Sequence, residues 1–195
     1  MLHPEVLVAK MVSRQSEKSE GIRYTSSMQL LAEISEQSLG LCDVSPLGQT
    51  YRLRKSVRAV LYNAAGEVAL EHVQLHAFYK LPGGGVEAGE TEEQALEREI
   101  TEEVGCACEI VRPLGIVIEY RQTEGLLHIS YGFEAQVVGK VGLPQFDAGE
   151  LSAQQCTVWV PREQALHLVT SGADKDAGHQ SIRAREQAFL TACIV

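Results

Sequence analysis

One segment, LPGGGVEAGETEEQALEREITEEVGC at residues 81–106, constrains the fold of this 195-residue chain more than any other. Three glycines come first, and Thr91 then stands three residues before Gln94, the spacing of a helix N-terminal capping box. Gly105 is a residue type that commonly ends a helix. We therefore predict a glycine loop followed by a helix from about Glu92 to Val104. Three apolar residues recur at spacing four and are expected to face the core: Leu96, Ile100 and Val104.

The predicted helix concentrates negative charge. Between Val86 and Glu103 there are eight glutamates and one arginine, so this stretch carries minus seven of the chain's formal charge of minus nine. At about 100° per residue, Glu99, Glu102 and Glu103 fall within one arc of about 100° on the helix surface. Like charges at this spacing destabilise an isolated helix, whereas a bound divalent cation neutralises them. An acidic run is more often a solvated helix face, so the neighbouring loop decides between the two interpretations.

The glycine loop favours a ligand site over a solvated face. Glycine adopts positive φ and lets the backbone approach a ligand closely, so a carbonyl or amide can join a metal or phosphate shell. Mg²⁺ prefers carboxylate oxygens and commonly bridges them to substrate phosphates. Loop and acidic stripe together predict a metal-assisted phosphate site.

The rest of the chain alternates strand-like and helical patterns. Runs rich in β-branched and aromatic residues, bounded by turn residues, predict strands at 51–63, 67–75, 109–122, 126–139 and 156–161, of which the first two form a hairpin. Helical patterns follow at Arg162–Thr170 and Gly178–Cys193. This order predicts an α/β layered domain with helices covering a mixed sheet.

The N-terminal part of the chain has weaker signals. Residues 1–47 carry two helical patterns, at about Pro4–Val12 and Ser27–Ser38, separated by the polar stretch SRQSEKSEG. We predict a helical arm over 1–47 and one domain over 48–195, because this length and 45% hydrophobic content fill one core well. Three roles stay open for the arm and the C-terminal helix: packing on the core, covering the pocket, or building a homodimer.

Composition narrows the choice of partner and compartment. A formal charge of minus nine disfavours binding to a nucleic-acid duplex or to anionic lipid. The five cysteines lack paired CxxC spacing, which favours free thiols. The N-terminus lacks a signal-peptide pattern, and no run approaches the roughly 18 apolar residues of a membrane span. We expect a cytoplasmic protein with a small anionic substrate.

With these residues in view, the segment 84–106 resembles the Nudix box of the Nudix (MutT-like) hydrolase family. Cys106 stands where the family usually has an aliphatic residue, and a buried thiol is itself a small hydrophobe. The order of predicted elements from about 52 to 165 is also similar to the family core, a Nudix-type α/β/α sandwich with a mixed central sheet. The matching box positions are Gly84, Glu90, Arg98, Glu99, Ile100, Glu102, Glu103 and Gly105.

The resemblance implies a hydrolase that cleaves a nucleoside diphosphate linked to another group, using Mg²⁺ or Mn²⁺. The substrate classes are a nucleoside triphosphate, an oxidised nucleotide, ADP-ribose or a nucleotide sugar. The resemblance implies that Glu99 and Glu103 bind the metal directly, that Glu102 does so directly or through water, and that a carbonyl near Gly83 joins them. A nucleotide-sensing module without catalysis is the alternative function.

The resemblance also suggests roles for residues around the metal ligands. Arg98 is expected to pair with Glu90 and to orient the helix. The general base is either a box glutamate such as Glu99 or a carboxylate in the later loop QFDAGELSAQQ, where Glu150 is a stronger candidate than Asp147.

Three residues at the start of the box or just before it are candidates for contact with the substrate. Gly84 and Gly85 are assigned from the loop. Tyr79 precedes the loop, and two roles stay open for it: stacking on the base, or packing as an ordinary half-buried strand aromatic.

Overall fold

The structure, a computed structural model, describes residues 28–171 and 176–193. Within these ranges seven strands are present: β1 Leu30–Ser35, β2 Arg52–Tyr62, β3 Glu67–Val73, β4 Phe78–Lys80, β5 Ala107–Arg121, β6 Leu126–Val138 and β7 Gln155–Pro161. The helices of the same ranges are α1 Glu92–Glu103, α2 Ala148–Ser152, α3 Arg162–Thr170 and α4 Ala177–Ala192. The helix predicted at Pro4–Val12 lies outside the described residues.

All seven strands join one mixed sheet. The strand order is β1-β5-β6-β2-β3-β4, and β7 pairs with β3. The pairs β1–β5 and β2–β6 are parallel, while β5–β6, β2–β3, β3–β4 and β3–β7 are antiparallel. Helix α1 packs on one face, and α3 and α4 pack on the other. The predicted α/β/α sandwich with a mixed central sheet is confirmed.

Each face of the sheet has its own apolar core. Beneath α1, the predicted core residues Leu96, Ile100 and Val104 are buried among side chains of β2, β5 and β6. Beneath α3 and α4, Val169 and Phe189 pack on side chains of β2, β3 and β5. The C-terminal helix therefore packs on the core. No helix in the described ranges has the length and apolar character needed to cross a membrane.

The strands and helices predicted from Tyr51 onward are confirmed, but the helix predicted at Ser27–Ser38 is wrong. Its described part contains β1, a strand parallel to β5. Gly115 explains the pairing: its positive φ and missing side chain let the Gln29 carbonyl and Leu31 approach closely. The Ile116 amide then donates to the Gln29 carbonyl at 2.8 Å. A contact with a strand some 85 residues later overrides a weak local helix signal.

The glycine loop lies along β2 in the position of a neighbouring strand. The Val57 amide donates to the Gly84 carbonyl at 2.9 Å, and the Ala59 amide donates to the Pro82 carbonyl at 3.0 Å. Gly83 has φ of +130°, and a Cβ there would collide with the Val57 carbonyl oxygen. Glycine is therefore required where the loop turns toward α1.

Candidate active site

Helix α1 begins and ends as its local sequence predicts. The Gln94 amide donates to Thr91 Oγ1 at 3.2 Å, and the Thr91 amide donates to Gln94 Oε1 at 3.0 Å, which completes the capping box. Gly105 follows the helix with φ of +77°. These two ends fix which face of α1 turns toward the glycine loop.

Glu103 is the most deeply buried carboxylate of α1, with 1% of its surface exposed. Its Oε2 accepts a hydrogen bond from the Gly83 amide at 2.5 Å. Its Oε1 accepts from Lys80 Nζ at 3.2 Å and from Gln155 Nε2 at 3.1 Å. Lys80 is the cation bonded to this carboxylate, and amide donors satisfy the remaining lone pairs.

Glu99 lies one turn earlier and faces the loop at Gly84. A Cβ on Gly84 would come within 2.5 Å of the Glu99 carboxyl carbon, so the absent side chain makes room for the carboxylate. Glu99 Oε1 accepts from Arg98 Nη1 at 2.7 Å. Burial raises the pKa of Glu99 above its ordinary value, although the bond from Arg98 opposes this shift.

Arg98 ties the helix to the loop. Its Nε and Nη2 donate to the two oxygens of Glu90 at 2.8 and 3.0 Å, so the predicted Arg98–Glu90 pair is confirmed. Nη2 also donates to the Gly85 carbonyl at 2.9 Å. The hydrogen bond from Arg98 lowers the pKa of Glu90 to about 2. Glu102, whose side chain is 47% exposed, receives a longer bond of 3.3 Å from Arg98 Nη1.

Glu150 reaches the same site from helix α2. Asp147 and Glu150 form a capping box, in which the Asp147 amide donates to Glu150 Oε2 at 2.8 Å. Burial and the nearby charge of Glu103 raise the pKa of Glu150 to about 7. The structure thus brings Glu150 together with the predicted residues Gly83, Gly84, Gly85, Glu99 and Glu103.

Tyr79 is the predicted site residue that lies apart from this group. Its ring stacks on His72, with centroids 4.3 Å apart and an interplanar angle of 11°. It packs against the core beneath α3 and α4, on the face of the sheet opposite α1. Its contact with substrate stays a prediction.

Four residues of this site were missed from the sequence: Glu71, Lys80, Gln155 and Thr157. Thr157 Oγ1 lies 2.9 Å from Glu71 Oε1 and donates to the Glu103 carbonyl at 2.8 Å. Gln155 Nε2 lies 3.3 Å from Glu71 and bridges to the Glu103 carboxylate. Burial and the charge of Glu103 raise the pKa of Glu71 to about 8. The signal for Glu71 in the sequence is a glutamate within the apolar strand VALEHV.

The site offers oxygen ligands, the kind of atom that a hard divalent cation prefers. Glu99, Glu102 and Glu103 offer carboxylate oxygens, which Mg²⁺ prefers, and the Gly83 amide holds the backbone of the glycine loop against Glu103. The described part of the chain nevertheless holds no ready-made group of three or more acidic, Cys or His side chains around one metal position. Arg98 and Lys80 bond to the same carboxylates. Because Mg²⁺ commonly keeps several waters and takes further ligands from substrate phosphates, a few protein oxygens suffice.

Comparisons with known proteins identify a family and several relatives of this chain. The NUDIX domain family model matches residues 52–179. The 8-oxo-dGDP phosphatase NUDT18 of Mus musculus is 32% identical over 173 residues, which cover 78% of this chain and 51% of that protein. NUDT18 of Homo sapiens is 30% identical over 189 residues, covering 86% of this chain and 56% of that protein. The chain thus spans about half the length of these relatives.

A solved structure supports the same fold. The solution structure of the E. coli ORF135 protein aligns with a TM-score of 0.52 and 21% identity, covering 77% of this chain and 94% of that one. The match of the family model to most of the sheet, and to the helix that carries the buried glutamates, decides the classification. The chain belongs to the Nudix hydrolase family.

Proposed function

We propose that this protein is a Mg²⁺-dependent hydrolase that cleaves a phosphoric anhydride bond in a nucleoside diphosphate derivative. The observation that carries the proposal is the buried Glu103 carboxylate, which is held by the Gly83 amide beside Glu99 and Glu150. The similarity to the 8-oxo-dGDP phosphatases NUDT18 makes 8-oxo-dGDP the first substrate to test.

We assign the metal to Glu99, Glu103 and the Gly83 carbonyl, with Glu102 binding directly or through water. A divalent cation there neutralises charge on phosphate oxygens and lowers the pKa of the attacking water. The chain's own residues prepare this position. Gly83 and Gln155 hold the Glu103 carboxylate by hydrogen bonds, and Arg98 holds Glu99.

We propose Glu150 as the general base in preference to Glu99. Glu99 is bonded to Arg98 at 2.7 Å, so part of its basicity is already offset by a cation. Glu150 bonds instead to the Asp147 amide and lies beside Glu103, next to the position that we assign to the metal. A base with a pKa near neutrality is suited to this task.

A substrate panel tests the proposed activity. We would incubate the chain with 8-oxo-dGDP, dGDP, 8-oxo-dGTP, ADP-ribose and a nucleotide sugar, with Mg²⁺ or with EDTA, and separate the products by chromatography. The expected result is release of a nucleoside monophosphate that depends on Mg²⁺. Nucleotide binding by calorimetry without any turnover would support the sensing module instead.

Single-turnover pH profiles identify the base. Glu150→Gln is expected to lose the acidic limb of the rate profile while it still binds metal, and Glu99→Gln is expected to weaken metal binding. Asp147→Asn keeps an acceptor at the start of α2 and serves as the matched control on the same loop. If Glu150→Gln keeps both the rate and the profile, the base belongs on α1.

A further inference from the structure

A second group of charged side chains is buried on the opposite face of the sheet, beneath α4. Arg185 bonds to Glu119 at 2.9 Å and to Glu186 at 2.6 Å. Glu119 is also contacted by Arg121 Nη2 at 3.0 Å and by His128 Nδ1 at 3.2 Å. Arg58 of β2 belongs to the same group: it is 6% exposed, and its Nε lies 3.6 Å from Glu186 Oε1. The active site described above uses none of these residues.

Arg58 contacts the strand segment on which the glycine loop rests. Its Nη1 donates to the Val57 carbonyl at 2.6 Å. The amide of the same Val57 donates to the Gly84 carbonyl at 2.9 Å. The Val57 carbonyl is also the group that a side chain on Gly83 would strike, so it lies directly against that residue. The guanidinium of Arg58 therefore fixes the Val57–Arg58 peptide, whose carbonyl lies against Gly83.

The glycine loop connects the Val57 carbonyl to the active site. The Gly83 amide donates to Glu103 Oε2 at 2.5 Å. A continuous chain of contacts thus runs from Glu186 through Arg58 and the Val57 carbonyl to Gly83, and from there to Glu103. It connects the C-terminal helix to the most buried carboxylate of α1.

The electrostatics of Arg58 make this connection sensitive to Glu186. Burial and the neighbouring charge of Arg185 lower the pKa of Arg58 to about 10, which leaves it cationic at neutral pH. Glu186 is the first of the carboxylates that oppose this shift, followed by Glu103 and Glu119. A buried cation that loses its partner tends to move toward water or toward another anion.

We propose that Arg58 is a positioning residue for the metal-binding loop and that Glu186 of α4 holds it in place. The effect on turnover rests on the proposed function, whereas the effect on the loop does not. Residues that orient the ligands of a metal commonly change affinity or activity by about 10- to 100-fold when they are replaced.

Glu186→Gln tests the proposal because it keeps the shape of the side chain and removes the charge that faces Arg58. The first readout is amide hydrogen exchange by NMR, without metal or nucleotide. Exchange of the Gly83 amide is expected to accelerate about 10-fold relative to the Ile100 amide within α1. The second readout is turnover at saturating Mg²⁺, which is expected to fall about 10-fold.

Phe189→Leu is the matched control. Phe189 lies one turn further along α4, is fully buried, packs on Gly132 and carries no charge that could act on Arg58. The control is expected to lower the melting temperature while Gly83 exchange, relative to Ile100, and turnover stay at wild-type values. If Glu186→Gln does not fold, Arg58→Lys replaces it, because lysine keeps the charge but lacks the planar guanidinium.

The outcomes separate this proposal from the proposed function. Unchanged relative exchange of Gly83 in the Glu186 or Arg58 variant overturns the proposal, and so does faster exchange with normal turnover. Equal acceleration in Phe189→Leu overturns it as well, because general loosening of α4 then explains the effect. A wild-type protein that hydrolyses no nucleotide contradicts the proposed function, and the exchange comparison alone then decides the role of Arg58.

Discussion

On the face of the sheet beneath α4, the buried carboxylates of Glu119 and Glu186 share Arg185 at hydrogen-bond distance. On the α1 side, the carboxylates of Glu71 and Glu150 instead lie close to that of Glu103, and Lys80 bonds to Glu103 alone. The pKa of Glu119 is accordingly held well below its usual range by its cationic neighbours, while those of Glu71 and Glu150 are raised. Breaking a buried charge pair destabilises a fold, whereas carboxylates whose pKa values are raised by burial and by one another are a common property of functional sites.

Glu103→Gln is expected to have the largest effect, because it removes a charge from the crowded side while it keeps the shape of the residue. If Glu103 binds the metal, kcat falls by about 100-fold or more, which corresponds to about 2.8 kcal/mol of transition-state stabilisation. Steady-state kinetics at saturating Mg²⁺ checks this value. Near-normal turnover in a folded variant would remove Glu103 from the metal site.

Two glycine-to-alanine changes compare the faces directly. Gly84→Ala displaces the end of the Glu99 side chain, so we expect turnover to fall at least about 10-fold with little change in stability. Gly132→Ala drives a Cβ into the buried Phe189 ring and is expected to cost about 2 kcal/mol of stability with turnover kept. Urea denaturation measures the stability of both variants, and steady-state kinetics measures their turnover. If Gly84→Ala lost stability and Gly132→Ala lost turnover instead, the two faces would have the opposite roles.

Arg98→Ala is expected to reduce stability more than chemistry. The side chain bonds to both oxygens of Glu90 and to the Gly85 carbonyl, so its loss removes the charged hydrogen bonds that tie the loop to α1. The melting temperature should therefore fall. A many-fold rise in KM at an unchanged melting temperature would instead identify Arg98 as a substrate contact.

The smallest expected effect is a change in the pH dependence of stability in Glu71→Gln. In the folded protein the pKa of Glu71 is raised to about 8. Protonation of Glu71 therefore stabilises the folded state. This contribution is fully present below pH 4.5, the pKa of the group in the unfolded chain, and it is lost as the pH rises through 8. Between pH 6.5 and 8 in EDTA, the variant should gain between about 1 and 2 kcal/mol relative to wild type.

Two other groups with shifted pKa values do not obscure this comparison. The pKa of His128, which contacts Glu119 on the opposite face of the sheet, is lowered to about 4 by burial. The pKa of Glu150 is raised to about 7 by burial and by Glu103. These residues and their partners are the same in both proteins, so their contributions cancel in the difference. Parallel urea curves at pH 6.5 and 8 measure the effect, and a constant difference between the proteins would mean that Glu71 is ionised throughout.

The sequence predicts best where local chemistry determines structure. The capping box at Thr91 and the stop at Gly105 place α1 correctly, and the spacing within it identifies the core residues. The strand β1 was mistaken for a helix because its conformation depends on pairing with β5.

Three of the site residues missed from the sequence come from segments that are far apart in the chain. Gln155 and Thr157 meet Glu71 because β7 pairs with β3, a contact between segments more than 80 residues apart. Arg58 and Glu186 meet only because α4 packs back on the sheet. A single sequence contains no periodicity that links such positions, so strand order and helix packing have to be known first.

Binding of Mn²⁺, measured by EPR in the presence of a non-hydrolysable nucleoside diphosphate analogue, tests most directly whether the crowded carboxylates form a metal site. The comparison is between wild type and Glu103→Gln, with Phe189→Leu from the face beneath α4 as the control. We predict that wild type and the control bind Mn²⁺ equally and that Glu103→Gln binds at least about 10-fold more weakly. Equal Mn²⁺ affinity in all three folded proteins would contradict the assignment of the metal to α1.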